Sequence, residues 1–214
     1  SCFELLMFSL LAVCIVIAPV FSGEYQAGTD AVILSAKYGK TKLTTAKIVA
    51  SYLFGFAAFT LHIIVAFGLP LVAFGVDGWN LPLQINGTTV PYPLTFLQGT
   101  LVNLGVIYLV LFAMISLTLL LSAKMKSPYL VLIVLVPVLF IPLFVSPNGT
   151  TGLYNLILFL LPYHSTVPQF GQYISYQFGS LVLDIFSVRA ILYATLTVIM
   201  LPLAKRFFKQ HQVA

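Results

Sequence analysis

The chain is predicted to be all-α: a polytopic transmembrane helical bundle showing five spans of an expected six, with a short cytoplasmic helix between the first two and short external helices before the last. Three observations carry this prediction. Sixty per cent of the 214 residues are hydrophobic and only 7% are charged, whereas about a quarter of the residues in soluble domains are charged. Five apolar runs reach or approach the length needed for a membrane crossing, about 20 residues for a hydrocarbon core of about 30 Å. The basic residues fall almost wholly into three clusters that alternate along the chain with connections lacking them. A soluble fold of this size would have to hide every apolar run in one core, without the charges needed to coat its surface.

The first span runs from about Phe3 to Phe21, the second from about Ile48 to Val76, the third from about Phe96 to Ser122, the fourth from Pro128 to Val145 and the fifth from about Val188 to Ala204. Lys37, Lys40, Lys42 and Lys47 lie in the first connection, Lys124 and Lys126 in the third, and Lys205, Arg206 and Lys209 in the tail. If each run crosses once, these three segments share one side, and the positive-inside rule makes that side the cytoplasm. The connections holding Trp79, Pro82, Asn86, Pro91, Asn148 and Pro168 then face out. Of the ten basic residues only Arg189, at a span edge, escapes the pattern. The same topology puts Ser1 outside, which leads to the expectation of a further span upstream.

Two external segments are expected to be structured. The run LYNLILFLL, Leu153 to Leu161, is too short to cross and stops at Pro162, so it reads as a short helix lying at or dipping into the outer face. The segment from roughly Phe170 to Phe186 is a second candidate. Its Tyr173, Tyr176 and Phe178 suit the headgroup region, where packing is their expected role.

Several chemistries are excluded. Cys2 and Cys14 both belong to the first apolar run and read as buried thiols, with no disulfide or metal framework. No polar face interleaves basic and aromatic residues, which removes nucleic acid as a partner. YGKTK ends like a phosphate-binding loop, but Leu34 stands where its first glycine is required, so the nucleotide reading fails. His62, His164 and His211 are scattered and form no His-Glu-x-x-His pair for zinc. The spans supply no paired aspartates for intramembrane proteolysis; Glu4, Asp77 and Asp184 lie at ends or in external segments. No catalytic site and no cofactor of its own are expected.

Polar and proline residues within the spans are candidates for a path or a hinge. An ionisable residue in a span is a functional hypothesis by default, yet His62 can satisfy both ring nitrogens against a neighbouring helix and stay neutral. Asn103, Gln98, Ser116 and Thr118 in the third span read as interhelical hydrogen-bonding groups or as lining of a path. Pro137 and Pro142 in the fourth span each remove a backbone donor, giving a hinge or a kink fixed by packing.

The polar stretch from Phe21 to Leu43 has its own local structure. Thr29 and Asp30 offer an N-cap, Ala31 to Tyr38 reads as a helix of about two turns, and Gly39 reads as its stop. Lys37 and Lys40 complement the helix dipole at that end. Val32, Ile33 and Leu34 cover more than one narrow stripe, leaving apolar surface for a partner or for the lipid interface.

The order FSGEYQAGTDAVILSAKYGKTKLTTAK resembles the first cytoplasmic region of permease subunits of the type-2 ATP-binding-cassette exporter (ABC-2 type) family. There a Glu, a Gly-Thr pair, a short helix, a Gly-Lys or Gly-Arg turn and an Ala-Lys recur, and Glu24, Gly28, Thr29, Leu34, Ser35, Gly39, Lys40, Ala46 and Lys47 stand at the matching places. The resemblance implies six spans per subunit with the short helix acting as the coupling helix, and a bulky external segment before the last span. It also implies two cytosolic ATPase subunits, which carry the ATP and Mg, and a second permease subunit, identical or not. Glu24, Gly28, Thr29, Asp30, Leu34, Lys37, Gly39, Lys40 and Lys47 would form the ATPase contact. A multi-pass protein of a bacterial cytoplasmic membrane moving a hydrophobic, amphipathic or peptide-like substrate is the expected function. The alternative is a non-transporting membrane scaffold or sensor that docks a cytosolic partner through the same helix.

Overall fold

A computed structural model describes residues 2–35, 39–87 and 90–210. Four helical segments are long and apolar enough to cross a membrane: Leu5–Ala27, Thr41–Phe74, Phe96–Lys124 and Ile185–Gln210. The first comprises helices α1 (Cys2–Ile17) and α2 (Pro19–Ala27), separated at Ala18 because Pro19 has no N–H to continue the ladder. Helix α3 (Asp30–Ser35) follows, then a π-helical turn, Gly39–Leu43, which leads into α4 (Thr44–Phe74).

Helix α5 (Phe96–Lys124) opens on a capping box in which Thr95 accepts the Gln98 N–H and the Gln98 side chain accepts the Thr95 N–H. Gln98 is therefore an N-terminal capping residue of its own helix, which corrects its expected role as an interhelical group. The loop before α5 folds back on this start: Phe96 N–H donates to Leu81 O and Leu97 N–H to Trp79 O, each at 3.0 Å.

The expected fourth span is shorter than its sequence suggested. Helix α6 (Pro128–Phe140) has 13 residues and continues as a 3₁₀ turn, Ile141–Leu143, of 3, together about 25 Å of rise. Pro137 lies inside α6, but Pro142 sits in the 3₁₀ turn beyond it. Pro142 ends the α-helix, since it has no N–H to offer the Val138 carbonyl, and so is not an intrahelical hinge.

The external segment holds α7 (Leu153–Leu158) and α8 (Pro162–Thr166). A β-hairpin then replaces the aromatic interfacial helix expected from Phe170 to Phe186. Strands β1 (Ser175–Phe178) and β2 (Leu181–Asp184) pair antiparallel with Ser175 opposite Asp184 and Phe178 opposite Leu181. Gly179, with φ of 63°, makes the tight turn with Ser180. The fold is thus mostly helical, in keeping with the all-α expectation, with one small hairpin besides.

Helix α9 (Ile185–Gln210) returns through the bundle. Its start is capped by Asp184, whose carboxylate accepts the Phe186 N–H at 3.2 Å and the Ser187 N–H at 3.4 Å.

Helix directions follow from the contacts. At one end, Tyr25 reaches Ala123, Lys205 reaches Thr45, and Lys124 lies over the Phe207 ring. The ends of α2, α5 and α9 therefore meet the start of α4, and the described basic residues of all three clusters gather there. At the other end Leu101 and Val102 of α5 share a groove with Phe186 and Ser187 of α9. These two helices run parallel, form the most extensive helix pair, and carry much of the core through Ile107, Leu111, Ile115 and Tyr193.

Helix α4 is buried along one narrow stripe, Thr44, Ile48, Ser51, Gly55, Phe59 and Ile63. Small residues allow that approach: a Cβ on Gly55 would stand 2.5 Å from Ile115 Cδ1 and 3.1 Å from Val13 Cγ1. The opposite face, including Leu53, Leu61, Ile64 and Leu69, is exposed and apolar, as suits a helix facing lipid.

Candidate functional site

The polar stretch folds as an elbow between the first two crossing segments. Helix α2 ends at Gly28, whose φ of 67° and ψ of 18° are left-handed. Gly28 N–H donates to Tyr25 O at 3.2 Å and Thr29 N–H to Glu24 O at 3.0 Å. This pair of bonds is the Schellman arrangement, which satisfies the last carbonyls and needs a residue without a Cβ at the left-handed position. Ile33 N–H then bonds Thr29 O at 3.2 Å as α3 begins.

Gly28 is therefore the left-handed stop of α2, a role not expected of it; the stretch between α3 and Gly39, where the other stop was expected, lies outside the described residues. Gly39 opens the π-helical turn that passes into α4, with Lys40 beside it. Lys37 lies outside the described residues, as do the side chains of Leu34 and Lys40.

Two contacts fasten the elbow to the bundle. Glu24 forms an ion pair with Lys47 in the first turns of α4, and Lys47 Nζ also donates to Val20 O at 3.0 Å. The second carboxylate oxygen of Glu24 has no partner among the described residues. On the other flank Ser122 of α5 donates to Ala18 O at 2.6 Å and accepts the N–H groups of Phe21 and Ser22, each at 3.0 Å. The break at Pro19 exposes those donors, and a serine 100 residues away satisfies them. Tyr25 adds a hydrogen bond to Ala123 O at 3.0 Å.

On α3, Asp30 is buried and Ile33 packs against the core, while Val32 is 71% exposed. The elbow thus joins Glu24, Gly28, Thr29, Asp30 and Lys47 in one place. His62, Asn103, Pro137 and Pro142 stand elsewhere.

Two adjoining grooves run between α1 and α4, with volumes of about 480 and 540 Å³. They share Val16 and Phe54 and extend from Glu24 and Lys47 to His62. His62 Nε2 is buried with no partner among the described residues. The expectation that both imidazole nitrogens are satisfied by a neighbouring helix does not hold. Ser116 bonds Phe112 O of its own helix and the Tyr52 hydroxyl of α4, so it does link two helices. Thr118 bonds Met114 O of its own helix.

At the end away from the basic clusters, α7 and α8 are held by a group that the sequence marked only as misplaced. Arg189 is fully buried; its Nε and Nη2 reach Phe159 O at 3.1 and 2.8 Å, and Nη2 also reaches His164 O at 2.9 Å. Tyr193 donates to Leu160 O at 2.5 Å and Tyr176 to Leu156 O at 2.8 Å. Three side chains from α9 and the hairpin thus gather the carbonyls that α7 leaves at its C-terminus, where positive charge is favoured. Burial pushes the Tyr176 hydroxyl up to about 12, so it stays a donor. Burial, aided by the neighbouring Arg189, holds the His164 imidazole below its ordinary range against the opposing hydrogen bond to the Val145 backbone. Helix α8 packs against α1, α5 and α6, so the segment expected to lie outside the membrane enters the bundle.

The signal for Arg189 was its isolation from the other cations. Ser122, Tyr25 and Tyr193 had none, since each partner is a backbone group far away in sequence. Among the described residues no three His, Cys, Asp or Glu side chains gather as metal ligands. No family model, curated protein or solved structure matches the chain.

Proposed function

We propose that this chain is a permease subunit of an ATP-binding-cassette transporter of the ABC-2 type, exporting a hydrophobic, amphipathic or peptide-like substrate across a bacterial cytoplasmic membrane. The observation that carries the reading is the elbow at the basic end. It presents an exposed apolar residue, Val32, on a helix fastened to three crossing segments. Helix α3 continues from α2 through Gly28, and α2 in turn is tied to α4 by the Glu24–Lys47 pair and to α5 by its Ser122 and Tyr25 contacts.

A rigid-body push on such a helix is passed to the membrane helices, because packed elements shift as units. The work comes from a cytosolic ATPase pair holding ATP and Mg, which seats on α3, with a second permease subunit completing the transporter. Helix α6 with its 3₁₀ turn serves as the fourth of five crossings in this reading: it starts beside Lys124 and Lys126, and the Phe140 ring near its end packs at a tilt against Phe8 of α1. The groove from Glu24 to His62, apolar along most of its length, suits amphipathic cargo.

The test is purification from the native membrane together with an ATPase that carries its own phosphate-binding loop and signature sequence. Reconstituted with that ATPase, the wild type is expected to alter its hydrolysis and support transport. Val32→Asp and Leu34→Asp should insert normally yet lose both effects. Normal coupling in correctly inserted variants would overturn the reading.

A further inference from the structure

The end of the bundle away from the basic clusters holds a cavity of about 450 Å³, bounded by the loop before α5, the first two turns of α5 and the segment after α8. Leu83, Phe96, Pro168 and Phe170 make its walls largely apolar, and among the described residues no charged side chain lines it. Gly99 sets the spacing of two walls: a Cβ there would meet Leu83 Cδ1 at 3.0 Å and the Phe170 ring at 3.4 Å.

Asn103 belongs to this lining and is fully buried. Its Nδ2 donates to Thr166 O at 3.4 Å, which fixes which way the amide faces and leaves Oδ1 with no partner among the described residues. A buried acceptor without a donor costs about 1–3 kcal/mol. An apolar chamber with one unmet acceptor in its wall has the composition of a small-molecule site, where a few polar groups orient an otherwise apolar ligand.

We propose that this cavity binds a neutral amphiphile with a single hydroxyl or amide N–H head, the head donating to Asn103 Oδ1 and the apolar body lying against Leu83, Phe96 and Phe170. A neutral ligand follows from the uncharged lining. A donor head follows from the orphaned acceptor. The site lies at the opposite end from the elbow and does not depend on the permease reading.

Trp79, the single tryptophan of the chain, reports on it, since its carbonyl accepts the Leu97 N–H at 3.0 Å beside the lining residue Phe96. The purified full chain in nanodiscs is titrated with 10-bromodecan-1-ol, and with 1-bromodecane as the probe lacking a donor. Saturable quenching by the alcohol is expected, with apparent affinity falling about tenfold or more in Asn103→Leu; the bromide should give only weak, non-saturating quenching in both proteins. Thr100→Phe, which narrows the cavity while keeping the Asn103–Thr166 bond, should abolish the saturable component and decides the matter where Asn103→Leu does not fold. Quenching that rises linearly with the alcohol, or is equal in wild type and Thr100→Phe, means bilayer partitioning or a cavity holding only water, and overturns the proposal.

Discussion

The Ser122 hydroxyl donates to the Ala18 carbonyl oxygen at 2.6 Å, closing from α5 the gap that Pro19 opens between α1 and α2. Because the Ser122 Oγ also accepts the Phe21 and Ser22 N–H groups, one side chain does the work of an N-cap for a helix it does not belong to. Ser22 joins the cluster by donating to Ala18 O at 2.7 Å. The elbow that α2 carries is therefore referenced to α5 and not only to its own chain neighbours.

Ser122→Ala leaves two buried N–H donors with no acceptor. The expected loss is about 1–3 kcal/mol of stability, the range for an orphaned buried group, read from unfolding of the purified protein in detergent. Ser22→Ala, whose hydroxyl back-bonds to Ala18 O and otherwise makes only a 3.3 Å contact with Ser122 Oγ, strands no backbone N–H and should cost clearly less. Equal effects would show that Ser122 is not the cap.

The Glu24–Lys47 pair calls for a double-mutant cycle. Its side chains are 13% and 24% exposed, so screening reduces but does not remove the penalty of stranding one charge. Glu24→Gln and Lys47→Met should each destabilise by about 1–3 kcal/mol. The double variant should recover part of that, because neither charge is then left alone; strict additivity would show that the two residues act separately.

Arg189 is a clamp that lysine cannot replace. A guanidinium reaches Phe159 O through two nitrogens while also reaching His164 O, whereas an ammonium on a shorter stem lacks that planar fork. Arg189→Lys should loosen α7 and α8 while the crossing segments persist. Limited proteolysis would then cut between Leu153 and Thr166 in the variant and spare the wild type, and equal protection would contradict the clamp.

How far these features could be read beforehand depended on the range of the interactions. The four segments long and apolar enough to cross a membrane were legible because length and apolarity are local properties of the chain, and the elbow's polarity stood out for the same reason. The hairpin had a local signal, Gly179-Ser180 between SYQF and LVLD, but the density of aromatic residues suggested an interfacial helix instead. Pro142 was legible as a breaker; whether it kinks or ends α6 depended on the helix having too little length left beyond it. Gly28 takes a left-handed role that its sequence context hides, since the Schellman bonds require a helix ending just before it, and the apolar run before Gly28 stops at Phe21. Ser122 and Arg189 act on backbone groups 104 and 30 residues away, which no sequence pattern records.

His164 gives the external segment a pH dependence of definite sign. Its native pKa lies below the ordinary value of 6.5 because burial and Arg189 both oppose a second positive charge. As pH falls below about 6.5 the unfolded chain takes up a proton that the native state refuses, so stability decreases, by at most about 1.4 kcal/mol per pH unit, until the native pKa is reached. Above that window His164 is neutral in both states and adds no slope. Unfolding measured at pH 7.5 and 5.5 should show a larger loss for the wild type than for His164→Gln, which cannot protonate. Identical losses would mean that the imidazole remains free to charge in the native fold, and that α8 is not packed against Arg189 as the hydrogen bonds indicate.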